Sequence, residues 1–111
     1  MPNVEPVPFE VTETLQVLGE RIRVARLRRQ MTQDELAAAC QLNRRTLYRI
    51  EQGAAGIAIG NICTVLWVLG LLPTVDAVAH PDTDDHGKIL ENASRAKRAR
   101  KSASHLDDND F

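Results

Sequence analysis

Apolar residues recur along the first two-thirds of this chain at the three- and four-residue spacing of helices. Leu15, Leu18, Ile22 and Ala25 mark one face of a stretch from about Thr12 to Gln30 that contains no proline and one glycine, with Arg21 and Arg28 on other faces. Thr32-Gln33-Asp34-Glu35 opens a second helix: Thr32 can cap it, Glu35 can return the bond, and acids suit the positive end of the helix dipole. That helix is short, Gln33 to about Cys40, and buries Leu36, Ala37 and Cys40. Asn43 caps a third, Arg44 to Gln52, which turns Leu47 and Ile50 inward and Arg44, Arg45, Tyr48 and Arg49 outward before Gly53 stops it. A loop, Ala54 to Ala58, leads to a fourth helix from about Ile59 to Leu69, closed by Gly70. Pro73 can occupy the first turn of a fifth, running to about Ala79.

The flanks read differently. Pro2, Pro6 and Pro8 favour an extended N-terminal arm over residues 1–11. After His80-Pro81 the chain turns charged and polar. Residues 84–101 can form a further helix containing Ile89 and Leu90, and the last ten residues have a disordered composition. The expected organisation is therefore an arm (1–11), an all-α domain (12–80) and a polar tail (81–111). A chain of 111 residues supports one core and some tail. Its few aromatics (Phe9, Tyr48, Trp67 and Phe111) suit a bundle packed with Leu, Ile, Val and Ala better than a β-sandwich.

The longest apolar runs, between Ile57 and Leu72, are broken by Gly60, Asn61, Thr64 and Gly70, so no membrane span is expected. The N-terminus has no basic start followed by an apolar stretch, so no secretory signal is expected and the protein is read as cytoplasmic. Cys40 and Cys63 are isolated, with no His or Cys at metal-ligand spacing, and read as small buried hydrophobes in a reducing compartment. Neither metal nor cofactor is expected.

Charge changes the picture through its distribution. The net charge is −1, yet Gly19 to Val75 holds eight arginines against four acids. The balancing acids lie before this stretch (Glu5, Glu10, Glu13) and after it (Asp82, Asp84, Asp85 and the cluster from Asp107 to Asp110). A basic core between acidic arms fits attraction to phosphate at one surface. Two short helices separated only by Gln41-Leu42-Asn43, with Leu42 as an apolar plug, form a helix-turn-helix. The second helix of such a pair presents its N-terminal turn to base edges while the first crosses the phosphate backbone. Arg44, Arg45 and Arg49 are the candidate base readers, because two parallel arginine donors match O6 and N7 of guanine. Thr46 and Tyr48 can reach phosphate or a thymine methyl. Gln33, beside free amides at a helix start, can hold a phosphate, and Asn43 supports the reading helix.

Leu18-Gly19-Glu20-Arg21-Ile22-Arg23, Thr32-Gln33-Asp34-Glu35-Leu36-Ala37 and Thr46-Leu47-Tyr48-Arg49-Ile50-Glu51-Gln52-Gly53 resemble, in order, the Xre/Cro-C1 family of phage and bacterial repressors. The resemblance covers roughly residues 15–72. It implies a five-helix, lambda repressor-like domain that binds operators as a homodimer, with an ion pair at the positions of Arg26 and Glu51. Two positions depart from the family pattern: Gln30, before the Thr-Gln of the second helix, and Gln41, at the start of the turn, stand where glycine is usual.

In the fourth helix Ile59, Ile62, Cys63, Leu66 and Leu69 can face inward, which leaves Val65, Trp67 and Val68, followed by Leu71 and Leu72. Trp67, Val68, Leu71 and Leu72 are the candidate dimer or partner interface. The Gly56-Ile57-Ala58-Ile59-Gly60 loop, together with the tail that carries Arg95-Ala96-Lys97-Arg98-Ala99-Arg100-Lys101, is similar to HipB-like antitoxins, which imply a HipA-like serine/threonine kinase as partner. The function expected is a repressor that binds its own operator and neutralises such a kinase; a free-standing regulator is the alternative. Catalysis is not expected. His80, His86 and His105 have no nucleophile near them, and Asp82, Asp84 and Asp85 lack the distal Glu of a calcium loop.

Overall fold

A computed structural model describes residues 6–109, with side chains described as far as Ala103. The described residues are helical and include no strand. The chain divides into two compact units, residues 1–75 and 76–111.

The first unit holds four helices: α1 (Phe9–Arg28), α2 (Gln33–Ala39), α3 (Arg44–Glu51) and α4 (Ile59–Val68). They close over one core of Ile22, Ala25, Leu36, Ala37, Cys40, Leu47, Ile50, Val65, Leu66 and Leu69. Leu42 packs against this core from the turn between α2 and α3, as expected of a plug. Close packing leaves no room for a side chain at Gly19. A Cβ there would lie 2.5 Å from the Glu51 carbonyl oxygen and 2.6 Å from that of Ile50, so this glycine lets α1 approach the backbone of α3.

Both expected caps form. The Thr32 hydroxyl accepts from the Glu35 N–H (3.0 Å) while the Glu35 carboxylate accepts from the Thr32 N–H (2.9 Å). Asn43 Oδ1 accepts from the Thr46 N–H at 2.7 Å. The helices also stop in one way. After α1, α2, α3 and α4 the residue at the C′ position has positive φ: Gln30 (57°), Gln41 (56°), Gly53 (77°) and Gly70 (77°). In each case the next N–H reaches back to a carbonyl five residues earlier: Met31 to Arg26, Leu42 to Ala37, Ala54 to Arg49 and Leu71 to Leu66. These are Schellman caps. The fold thus keeps the left-handed conformation at Gln30 and Gln41 although neither is glycine.

The arm, the fifth helix and the inner face of α4 are corrected. The arm ends early, because α1 starts at Phe9 and residues 9–11 are helical. Pro8 sits at the N-cap, where its missing N–H is no loss, and its carbonyl accepts from Val11 and Thr12; residues 1–5 lie outside the described residues. The expected fifth helix at Pro73–Ala79 is instead a 3₁₀ stretch, Leu72–Ala77. Here the Thr74 N–H and hydroxyl both return to the Leu71 carbonyl, the short-range pattern of a 3₁₀ turn. The periodicity of α4 is shifted as well. Val65, expected outside, is fully buried, and Ile59, expected inside, is 75% exposed in the first turn.

The second unit begins at Asp76, within residues expected to belong to the domain. A short 3₁₀ turn, Pro81–Thr83, precedes α5 (Asp85–Asn109). Asp84 accepts from the Gly87 N–H (2.9 Å), and Lys88 Nζ donates to the Asp82 carbonyl. The helix extends well beyond residue 101, into residues expected to be disordered. After Gly87 the chain contains neither glycine nor proline to end it. Residues 110–111 lie outside the described residues.

Candidate nucleic-acid interface

The α2–α3 pair is held from beneath by a buried ion pair. Arg26 of α1 and Glu51 of α3 are 7% and 5% exposed. The Arg26 guanidinium donates from Nε to Glu51 Oε2 (2.7 Å) and from Nη2 to Oε1 (3.0 Å), a parallel, two-pronged contact. Its remaining nitrogen, Nη1, donates to the Met31 carbonyl (2.9 Å), immediately after the left-handed Gln30. The hydrogen bond to Glu51 raises the Arg26 pKa above its ordinary value, outweighing the opposing pull of burial. Among the described residues no buried side-chain polar atom lacks a partner. Arg26 and Glu51 therefore stand where they were expected, fixing the end of α3 against α1.

Gln33 takes part in this network, which sequence reasoning missed. Its side-chain Nε2 donates to Glu51 Oε1 at 3.1 Å. One N–H of the amide is thereby turned inward; the second is left outward beside the backbone N–H groups of Gln33 and Asp34, since that of Glu35 is already capped by Thr32. Only the topology shows this contact, because Gln33 and Glu51 are eighteen positions apart.

Above the ion pair, α3 presents Arg44, Arg45, Tyr48 and Arg49 to solvent, while Leu47 and Ile50 enter the core. Tyr48 is half exposed. Thr46 is half-buried beside its cap. Asn43 spends its side chain on the helix start and so acts as support for α3. Arg44 Nε lies 3.6 Å from Asp34 Oδ1 on α2, and both side chains are well exposed. At that distance and exposure the pair is a loose surface one that leaves the Arg44 guanidinium free to turn. Among the described residues Arg45 and Arg49 form no ion pair within 4.0 Å. Asp34 had been counted only as an acid of the helix start. Nothing in a linear reading places it beside Arg44.

A helix-turn-helix domain family model matches residues 17–76, more than half of the chain. The chain belongs to the helix-turn-helix domain family. No curated protein matches it. This helix-turn-helix protein is thus a DNA-binding one, and the α2–α3 pair with its exposed arginines is its candidate DNA surface.

The other expected site residues are placed as follows. Trp67 is 66% exposed and Leu72 lies at the surface, whereas Val68 and Leu71 are partly buried and pack against the core. Ile59 and Trp67, eight positions apart with half-buried Cys63 midway, share one face of α4. Ile59 was not among the expected interface residues. Burial pushes the Cys40 thiol up from its ordinary value. Among the described residues no His, Cys, Asp or Glu cluster could hold a metal, and no helix is long and apolar enough to cross a membrane.

Proposed function

We propose that this helix-turn-helix protein is a transcriptional repressor that reads an operator through α3, acts as a homodimer and serves as the antitoxin of a HipA-like serine/threonine kinase. The observation that carries the DNA reading is the row of Arg44, Arg45 and Arg49 on the outer face of a helix braced by Arg26 and Glu51. Arginine forks on a rigid helix suit guanine edges in the major groove, and each two-pronged contact is worth about 1–3 kcal/mol of discrimination. Gln33, Thr46 and Tyr48 supply backbone contacts that set register. The protein acts by binding, without catalysis, cofactor or metal, in the cytoplasm at the nucleoid.

Dimerisation is supported by the apolar side chains that α4 and the 3₁₀ stretch after it leave outside. Ile59, Trp67 and Leu72 are exposed apolar groups in a unit whose core is already closed. A two-fold pair of recognition helices meets half-sites about 34 Å apart. The kinase partner rests on the resemblance of the loop at residues 56–60 and of the tail to HipB-like antitoxins.

Two experiments separate the layers of this reading. A mobility shift on DNA upstream of the protein's own gene, with unlabelled specific and scrambled competitors, should show specific retention; equal competition by both removes the operator reading. A pull-down from the native host should retain a HipA-like kinase in near-equal amount. Recovery of the chain alone, still shifting its promoter, leaves the free-standing regulator.

A further inference from the structure

In α5 the segment Arg95–Lys101 carries five basic residues in seven, all exposed. A solvated helix that is polar all round is ordinarily sustained by opposite charges three or four positions apart. Arg95 has such a partner, Glu91. The others do not, because the sequence contains no acid between Glu91 and Asp107. Their helical neighbours carry the same sign: Lys97 with Arg100 and Lys101, and Arg98 with Arg95 and Lys101. Like charges at these spacings oppose the helix that the segment forms. An external polyanion relieves that repulsion.

The arrangement also favours one kind of polyanion. At roughly 100° per residue, the five cations spread around most of the helix circumference rather than along one stripe. The rest of the circumference holds Ala96 and Ala99, three positions apart on one face, whose methyl groups offer a protein partner little apolar area. A protein surface engages one face of a helix, and its core contacts are depleted of charge. A nucleic-acid groove places phosphates on both sides of an inserted or closely laid helix. We infer that Arg95–Lys101 is a second DNA-binding site on this chain, one that takes backbone phosphates without regard to sequence. It rests on the DNA-binding reading of α2–α3 and adds affinity for operator-flanking duplex.

The test uses the full chain and a variant with Lys97→Gln, Arg98→Gln, Arg100→Gln and Lys101→Gln. Glutamine keeps helix propensity, and circular dichroism verifies that helix content is retained. Binding to a duplex holding the operator and to the same duplex extended by flanking DNA is followed by fluorescence anisotropy as salt is raised. Each phosphate contact contributes about −0.9 to the slope of log affinity against log salt. Four lost contacts therefore make the wild type shed about 10²-fold more affinity than the variant between roughly 50 and 200 mM salt. The wild type also gains affinity from the flanks and the variant does not, while both keep the same preference for operator over scrambled sequence. Equal slopes and equal flank dependence, with that preference intact, overturn the second site. Absence of any preference in the wild type instead overturns the operator reading beneath it.

Discussion

The Gln33 side-chain amide donates to Glu51 Oε1, the same oxygen that receives Arg26 Nη2. The residue at the front of α2, where a phosphate would sit, is thereby tied to the buried ion pair that anchors the end of α3. In the proposed function, one carboxylate therefore serves both the position of α3 and the phosphate contact of Gln33.

The two ends of this tie should respond differently to truncation. Glu51→Ala strands a buried guanidinium and is expected to cost about 3–5 kcal/mol in denaturant unfolding. Gln33→Ala removes one hydrogen bond to that carboxylate and should cost less, about 1.5–3 kcal/mol. It should nevertheless weaken DNA binding by a similar factor on every sequence, as loss of a phosphate contact does. A Gln33→Ala protein with altered base preference would make Gln33 a reader instead.

Gln30 and Gln41 occupy left-handed C′ positions that α3 and α4 give to glycine. A side chain there costs about 1–2 kcal/mol, partly offset by the greater freedom of glycine in the unfolded chain. Gln30→Gly and Gln41→Gly should each raise stability by up to about 1 kcal/mol, which is about 4–8 °C in Tm for a unit of this size. Calorimetry of the two variants measures this directly. A fall in Tm would mean that the side chains do more than fill the cap.

The Glu35 carboxyl is held below the ordinary carboxylate range, chiefly by the Thr32 N–H and then by the Thr32 hydroxyl. A lowered folded-state value means that the unfolded chain takes up this proton first as pH falls. The stabilisation is therefore present above the ordinary glutamate value and lost as pH drops through the folded one. Glu35→Gln should flatten part of the acid decline of Tm that sets in as pH falls through the ordinary glutamate value, about 4.3. An unchanged acid profile would place that decline on other carboxylates.

Trp67→Ala should leave the thermal unfolding of the monomer nearly unaltered, since the side chain is mostly exposed. By contrast, it should weaken self-association, read by sedimentation equilibrium, because exposed Trp is a strong interface anchor. A large loss of Tm with unchanged association would return Trp67 to core cover.

Much of the first unit was legible because its signals are local. Thr32 with Glu35, Asn43 with Thr46, and the spacing of Leu36, Leu47 and Ile50 each lie within one or two helical turns, where a sequence pattern maps directly onto a helix face. The arginines of α3 were placed outward by the same spacing. What escaped depends on contacts between elements. Gln33 with Glu51, Asp34 with Arg44, and the tight crossing at Gly19 are invisible until α1, α2 and α3 are packed. Ile59 and Val65 exchanged places because α4 is apolar on nearly every side, so periodicity could not choose its inner face. The 3₁₀ stretch at Leu72–Ala77 was read as a helix because Pro73 suits the start of either form.

The central claim, that α3 reads base sequence through its arginines, is tested most directly by selecting duplexes from a random pool with the full chain and with Arg45→Ala. The account predicts an enriched site containing guanines for the wild type. It predicts the same site with preference relaxed by about 1–3 kcal/mol at one base pair per half for the variant, with its thermal unfolding nearly unchanged. An identical selected site for both proteins, or no enriched site for the wild type, would contradict it.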